Sequence, residues 1–286
     1  MTARRWRQAG AALAVVCGLA MVVGAAEVGA SAAPPSGDPS VTRVEVIGDS
    51  LSGSPGCWRA PLWVALTDAD LDVDMVGIRT ENECGDVVNQ AGAAWDPDNT
   101  GIGGVTTTRM WVKLARDGVL EQTQPDVIVQ LLGTNDLLGG ASVDDILTQY
   151  DALLTLYRDH NPQIALVIAA PPPIATGACG CDDVQAAVVA ALPAWAQAAS
   201  TDESPIYVAD LTTGFDPEAD TVDGIHPNDV GTAKLAAGWT PAVTDAVTAA
   251  GAGGGSVTVW IVWGLAAVGI VALAVFAATT KARRTS

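Results

Sequence analysis

The stretch Val44-Glu45-Val46-Ile47-Gly48-Asp49-Ser50-Leu51 decides how the rest of the chain is read. Val44, Val46 and Ile47 are β-branched and apolar, as in a short buried parallel strand, and the turn that follows leaves Ser50 at the carboxyl end of that strand. Apolar runs at 73–76, 127–132, 164–169 and 206–209 read as four further strands. Between and after them, 58–69, 107–121, 143–160, 184–199 and 228–249 are long enough for helices. In 143–160, Ile146, Tyr150, Leu153, Leu154 and Tyr157 make one apolar face behind a Ser142 cap. Strands alternating with helices imply an α/β domain, a three-layer α/β/α sandwich around a five-stranded parallel sheet. Ligands in such sheets are handled beyond the carboxyl ends of the strands, where Ser50 falls. The segment 78–104, rich in Gly, Asn and Asp, interrupts the alternation and is expected as a long functional loop.

A serine hydroxyl becomes a nucleophile only beside a base, and the chain holds two histidines, His160 and His226. His160 ends the 143–160 helix, where an imidazolium simply complements the helix dipole. His226 lies in Asp223-Gly224-Ile225-His226-Pro227-Asn228, with a carboxylate three residues before it. That spacing lets Asp223 turn back onto one imidazole nitrogen and leaves the other to take the Ser50 proton. A capping Asp before a surface His is the plainer alternative. Gly133-Thr134-Asn135-Asp136 closes the 127–132 strand at the same sheet edge, so the Asn135 amide is a candidate oxyanion donor, with an Asx turn as the plainer reading. Gly104, in Gly101-Ile102-Gly103-Gly104, is a candidate backbone donor ahead of the next helix. Trp58, Trp63, Trp111, Trp195 and Trp239 are expected to pack in the core, while Trp95, in the long loop, is a candidate to stack on a sugar ring.

Charge narrows the partners. The 286 residues carry a net charge of -18, and the ends hold six of the 14 basic side chains, so the body between residues 33 and 256 has 8 basic against 31 acidic residues, a net of -23. Such a body repels nucleic acid and anionic lipid and is compatible with neutral substrates such as sugars and esters. Three arginines ahead of an uncharged apolar run, closed by Ala30-Ser31-Ala32, read as a signal peptide at 1–32. At the other end, 257–278 is uncharged and long enough to span a bilayer as a transmembrane helix. Lys281, Arg283 and Arg284 in the tail 279–286 would stay in the cytoplasm, which holds the catalytic domain, 33–250, outside on the Gly-rich linker 251–256. Cys17 falls in the leader, leaving Cys57, Cys84, Cys179 and Cys181 for an oxidising compartment. Three pairings are open, of which Cys57–Cys84 with Cys179–Cys181 is favoured. Two histidines and no paired CxxC argue against a metal site, and no cofactor is expected.

Ser50 in GDSL, Gly104 in GIGG, Asn135 in GTND, and Asp223 with His226 in DGIHPN resemble, in order, the blocks of the SGNH or GDSL hydrolases. The resemblance implies a serine esterase on a flavodoxin-like sheet, with Ser50 as nucleophile, His226 as base, Asp223 as its orienter, and the Ser50 N–H, the Gly104 N–H and the Asn135 amide as oxyanion donors. Asp49, Gly103 and Trp95 beside them are candidate substrate contacts. A narrower likeness, carried by Gly53-Ser54-Pro55-Gly56-Cys57-Trp58-Arg59, Cys84-Gly85, Thr213-Gly214-Phe215 and DGIHPN, is to carbohydrate esterase family 3, whose known members are acetylxylan esterases. Ile102, Gln130-Leu131-Leu132 and Pro171-Pro172-Pro173 depart from that family's pattern, which puts the sugar-facing wall in question and leaves the catalytic residues intact. The expected activity is therefore removal of O-acetyl groups from a carbohydrate by a membrane-tethered esterase. A lysophospholipase or short-chain lipase, or a carbohydrate-binding module without activity, are the rivals.

Overall fold

The structure, a computed structural model, describes residues 41–252 except Thr176. The expected leader at 1–32, the apolar segment 257–278 and the basic tail lie outside the described residues, as does most of the expected linker. Among the described residues no helix is long and apolar enough to cross a membrane.

Strands β1 (Thr42–Gly48), β2 (Val73–Val76), β3 (Thr100–Gly101), β4 (Val127–Leu131), β5 (Ala165–Ile168) and β6 (Ile206–Val208) form one parallel sheet. The order β2-β1-β4-β5-β6, with β3 beside the end of β1, is flavodoxin-like apart from that one addition. β3 makes the sheet six-stranded where five strands are expected. Two residues carry no readable period; Thr100 and Gly101 pair with Ile47 and Gly48, and Gly101 also passes so close to the turn after Ser50 that a Cβ on it would lie 2.3 Å from the Gly53 Cα.

Helices α1 (Arg59–Asp68), α2 (Thr107–Asp117), α3 (Val119–Thr123), α4 (Thr134–Leu138), α5 (Val143–His160), α6 (Asp182–Ala199), α7 (Pro217–Asp220) and α8 (Asp229–Gly251) complete the described domain. Because strand side chains alternate, Val44 and Val46 face a core built with Trp63 of α1 and Trp239 of α8, while Ile47 faces the opposite core, built with Met110 and Leu114 of α2 and Tyr150 and Leu153 of α5. The helix expected over 107–121 is two helices. Gly118, at φ 60°, ends α2 in the left-handed conformation that glycine adopts without a Cβ clash. At the start of α5, Ser142 and Asp145 make a reciprocal capping box, a device that stabilises a helix by about 1 kcal/mol. At the end of the domain, Gly251 belongs to α8 and not to the linker.

Both favoured disulfides are present, Cys57–Cys84 and Cys179–Cys181. Their loops differ, with sequence separations of 27 and 2. Loop-closure entropy alone then assigns about 3.5 kcal/mol to the first and about 1.5 kcal/mol to the second. The first is the staple of the long loop 78–104. Arg59, 1% exposed, works with it: its guanidinium donates to the carbonyls of Gly53, Pro55 and Pro97, tying the turn after Ser50 to the far end of the loop.

Candidate active site

Each reactive group sits where a strand or a locked turn delivers it. Ser50 follows β1, and its Oγ lies 3.0 Å from His226 Nε2. His226 Nδ1 lies 2.7 Å from Asp223 Oδ2, so the three side chains form a continuous relay. The turn that carries this pair is held locally. Asp223 Oδ1 accepts the backbone N–H groups of Ile225 and His226, and the Val222 N–H donates to the His226 carbonyl. Asn228 holds the turn from behind: its Oδ1 caps α8 through the N–H groups of Val230 and Gly231, and its Nδ2 donates to the carbonyls of Ala219 and Thr221. From the opposite side, the Ala175 N–H donates to the Gly224 carbonyl at 2.8 Å. Burial works to raise the Asp223 carboxyl, but the hydrogen bonds from the His226 backbone and ring and from Ile225 outweigh it and hold the group below the usual carboxylate range. An ionised Asp223 keeps its hydrogen on Nδ1 and leaves Nε2 as the acceptor for the Ser50 proton.

On the other side of Ser50, β4 is followed by Gly133, whose φ of 114° turns the chain into α4, from which Asn135 reaches Asp49 at the end of β1. Asn135 Nδ2 donates to Asp49 Oδ2 at 3.2 Å and to the Val105 carbonyl at 3.0 Å. Two acceptors on one nitrogen fix which end of the amide is the nitrogen. An oxyanion would share a hydrogen of that amide. Among the described residues the Ser50 and Gly104 N–H groups donate to no protein acceptor. Gly103 and Gly104 are exposed, Gly104 has φ +71°, and a Cβ at either position would meet nothing within 4 Å, so a ligand can approach their backbone unobstructed.

Two of the expected substrate contacts are corrected. Asp49 is 0% exposed and cannot touch a substrate; its Oδ1 accepts the Leu51 N–H and its Oδ2 holds Asn135. Burial pushes its carboxyl up to about 6. Trp95 is 4% exposed, its indole N–H donates to Asn82, and Arg59 lies over its ring at 5.3 Å. The buried guanidinium needs the ring face that a sugar would have used, which is why this loop tryptophan is in the core. His160 ends α5 at the opposite edge of the sheet, where burial pushes its imidazole down.

Several contributors went unread in the sequence because they act from a distance along the chain. Asp136 accepts both the N–H and the hydroxyl of Thr107 and so fixes the start of α2 next to Asn135. The Val105 carbonyl and the Arg59 clamp are equally non-local. Only Asn228 had a local signal, as an Asn directly before a helix.

The profile of the GDSL-like Lipase/Acylhydrolase family matches residues 46–234. Among solved structures, an acetyl esterase mutant crystallised with acetate ion shares 29% identity at a TM-score of 0.63, over 72% of this chain and 98% of that one. A carbohydrate esterase family 3 protein from Talaromyces cellulolyticus shares 30% identity at a TM-score of 0.63 with the same coverage. A family 3 carbohydrate esterase from Clostridium thermocellum, at 23% identity and a TM-score of 0.58 over 73% of this chain and 98% of that one, shares the fold. No curated protein sequence matches the chain. With Ser50, Gly104, Asn135, Asp223 and His226 all inside the matched span, the chain belongs to the GDSL-like Lipase/Acylhydrolase family and is a serine esterase.

Proposed function

We propose that this esterase removes O-acetyl groups from a carbohydrate, working outside the cytoplasmic membrane. The observation that carries the reading is the openness of the site. Gly101 pairs with Gly48 at the end of β1, and the Gly103 and Gly104 that follow it are exposed, with nothing within 4 Å of where a Cβ would stand on either. A long acyl chain collects about 0.8 kcal/mol per buried CH₂, and a shallow site cannot collect it, whereas an acetyl group asks for little. Likeness to two esterases described as an acetyl esterase and a family 3 carbohydrate esterase supports the same substrate class. The disulfides and the net charge of the body agree with an exported enzyme acting on an uncharged polymer.

In the reaction, His226 Nε2 takes the Ser50 hydroxyl proton as Oγ attacks the acetyl carbonyl carbon. The carbonyl π electrons move onto oxygen, and the Ser50 and Gly104 N–H groups with the Asn135 amide receive that oxyanion. Collapse breaks the bond to the sugar oxygen, which leaves as a hydroxyl carrying the proton from His226. Water then repeats the sequence on the acetylated Ser50, with His226 again as base, and acetate departs.

The test is acetate release from acetylated xylan beside fatty-acid release from lysophospholipid, together with a series of 4-nitrophenyl esters. Acetate release and a kcat/KM that falls from acetate to octanoate are expected. A preference for octanoate with release of fatty acid would assign a lipase.

A further inference from the structure

The tryptophans of the domain separate into two kinds. Trp58, Trp63, Trp95 and Trp239 are at most 5% exposed, and Trp195 donates its indole N–H to Asp151 with its ring against Tyr150. Trp111 is 38% exposed, and its indole N–H has no partner among the described residues. Its place on α2 is specific. α2 begins three residues beyond Gly104, and the four steps from Thr107 to Trp111 advance about 6 Å along the helix axis. Thr107, Met110 and Leu114 bury one face, while Thr108, Trp111, Val112 and Ala115 share the exposed face by i, i+3, i+4 and i+7 spacing. Only the buried Val105 and the N-cap Thr106 lie in the chain between the exposed Gly104 and the start of that helix.

The charge along the same helix departs from the rest of the body. α2 holds Arg109, Lys113 and Arg116 against one acid, Asp117. Asp117 takes both Lys113 and Arg116, at 2.7 Å each, and Arg109, which is exposed, pairs with no carboxylate among the described residues. Arg109, two positions before Trp111, points to another side of the helix, so the indole acts alone, and an exposed indole on the helix that follows Gly103 and Gly104 fits a sugar ring whose C–H face lies on it. A membrane surface fits less well. One tryptophan and one valine offer little area for insertion, and the strongly negative body is repelled by anionic lipid.

We propose that Trp111 is the sugar platform that holds the polymer chain while the acetyl group of a neighbouring residue occupies the site at Ser50; this rests on the carbohydrate deacetylase reading. Two measurements separate the proposal from that reading. In turnover, Trp111→Ala is expected to lower by about tenfold the ratio of kcat/KM on an acetylated xylo-oligosaccharide to that on 4-nitrophenyl acetate, mainly through KM of the oligosaccharide, with Trp111→Phe recovering most of the loss. In binding, the full chain carrying Ser50→Ala should be retarded by xylan in affinity electrophoresis, and adding Trp111→Ala should abolish the retardation while Trp195→Phe does not. A wild-type enzyme that releases no acetate from the oligosaccharide would sink the functional reading, and xylan retardation that still depends on Trp111 would then uphold the platform by itself. An unchanged substrate ratio with unchanged retardation overturns the platform. So does Trp111-dependent binding to phosphatidylglycerol vesicles without binding to xylan.

Discussion

The two sides of Ser50 are built in opposite ways. On one side, Asp49 and Asn135 stand at the ends of β1 and β4, with Asp49 wholly buried. On the other, Asp223 and His226 ride on a turn, and their side chains are 50% and 40% exposed. The same carboxylate chemistry gives contrary results on the two sides: burial pushes Asp49 up to about 6, while hydrogen bonds to His226 and Ile225 hold Asp223 below the ordinary range. The difference teaches what each side is for. The buried side holds an amide in one orientation, which favours a rigid, dehydrated setting. The exposed side has the setting that the proposed proton transfer needs, a charged partner for the imidazole and room for water to enter in the second half-reaction.

The largest expected effect comes from the residue that joins the sides. Ser50→Ala should lower kcat on 4-nitrophenyl acetate by about 10⁶-fold with an unchanged circular dichroism spectrum, because nucleophile and base act as one unit. Retained activity would mean that the two sides serve another nucleophile. Next, Asp223→Asn keeps the shape of the turn but loses the charge that sets the tautomer, and a loss of about 10⁴-fold in kcat is expected. A loss of less than tenfold would show that the turn alone orients His226. The buried side is worth less to the chemical step: Asn135→Ala should cost about 10²–10³-fold in kcat with KM little changed. If KM rises and kcat stays, the amide binds ground state only.

The smallest effect concerns stability. Asp49, and likewise Glu45, whose oxygens accept from the Thr100 and Thr123 hydroxyls, have folded-state values raised by burial, to about 6 and about 7. A raised carboxyl holds its proton more tightly in the folded chain, so its contribution is intact at low pH and declines as pH rises through the interval between the unfolded and folded values. At 1.36 kcal/mol per unit, each shift amounts to a decline of about 3 kcal/mol between about pH 4 and pH 7. In urea titrations across that range, Asp49→Asn and Glu45→Gln should each flatten the pH dependence relative to the unsubstituted chain. Parallel curves would show that neither carboxyl is raised. Asp223→Asn should act in the opposite sense, since a lowered carboxyl loses its stabilising contribution as pH falls through the folded value.

How far the residues could be read follows the range of the interactions involved. Val44, Val46 and Ile47 declared β1 by composition, and Asp223 and His226 declared a relay by being three residues apart, because strand burial and a tight turn are local facts. The two tryptophans show the limit. Trp95 lies in a polar loop and Trp111 on an amphipathic helix, so local pattern put the first outside and the second inside. The structure reverses both. Arg59, 36 positions before Trp95, needed an aromatic face in the interior, and nothing near Trp95 announces it.

What the sequence determined by itself was the alternation of strand and helix, the serine at a strand end, and the pairing of His226 with Asp223. Each rests on period, turn chemistry or spacing within a few residues. Only the tertiary structure decided that Asp49 is a buried support for Asn135, that the Val105 carbonyl shares that amide, and that α2 starts against Asp136. These contacts join residues 86, 30 and 29 positions apart. They come into being only when parallel strands bring their carboxyl ends to one edge, and a parallel pairing leaves no local signature of which residues it will set side by side.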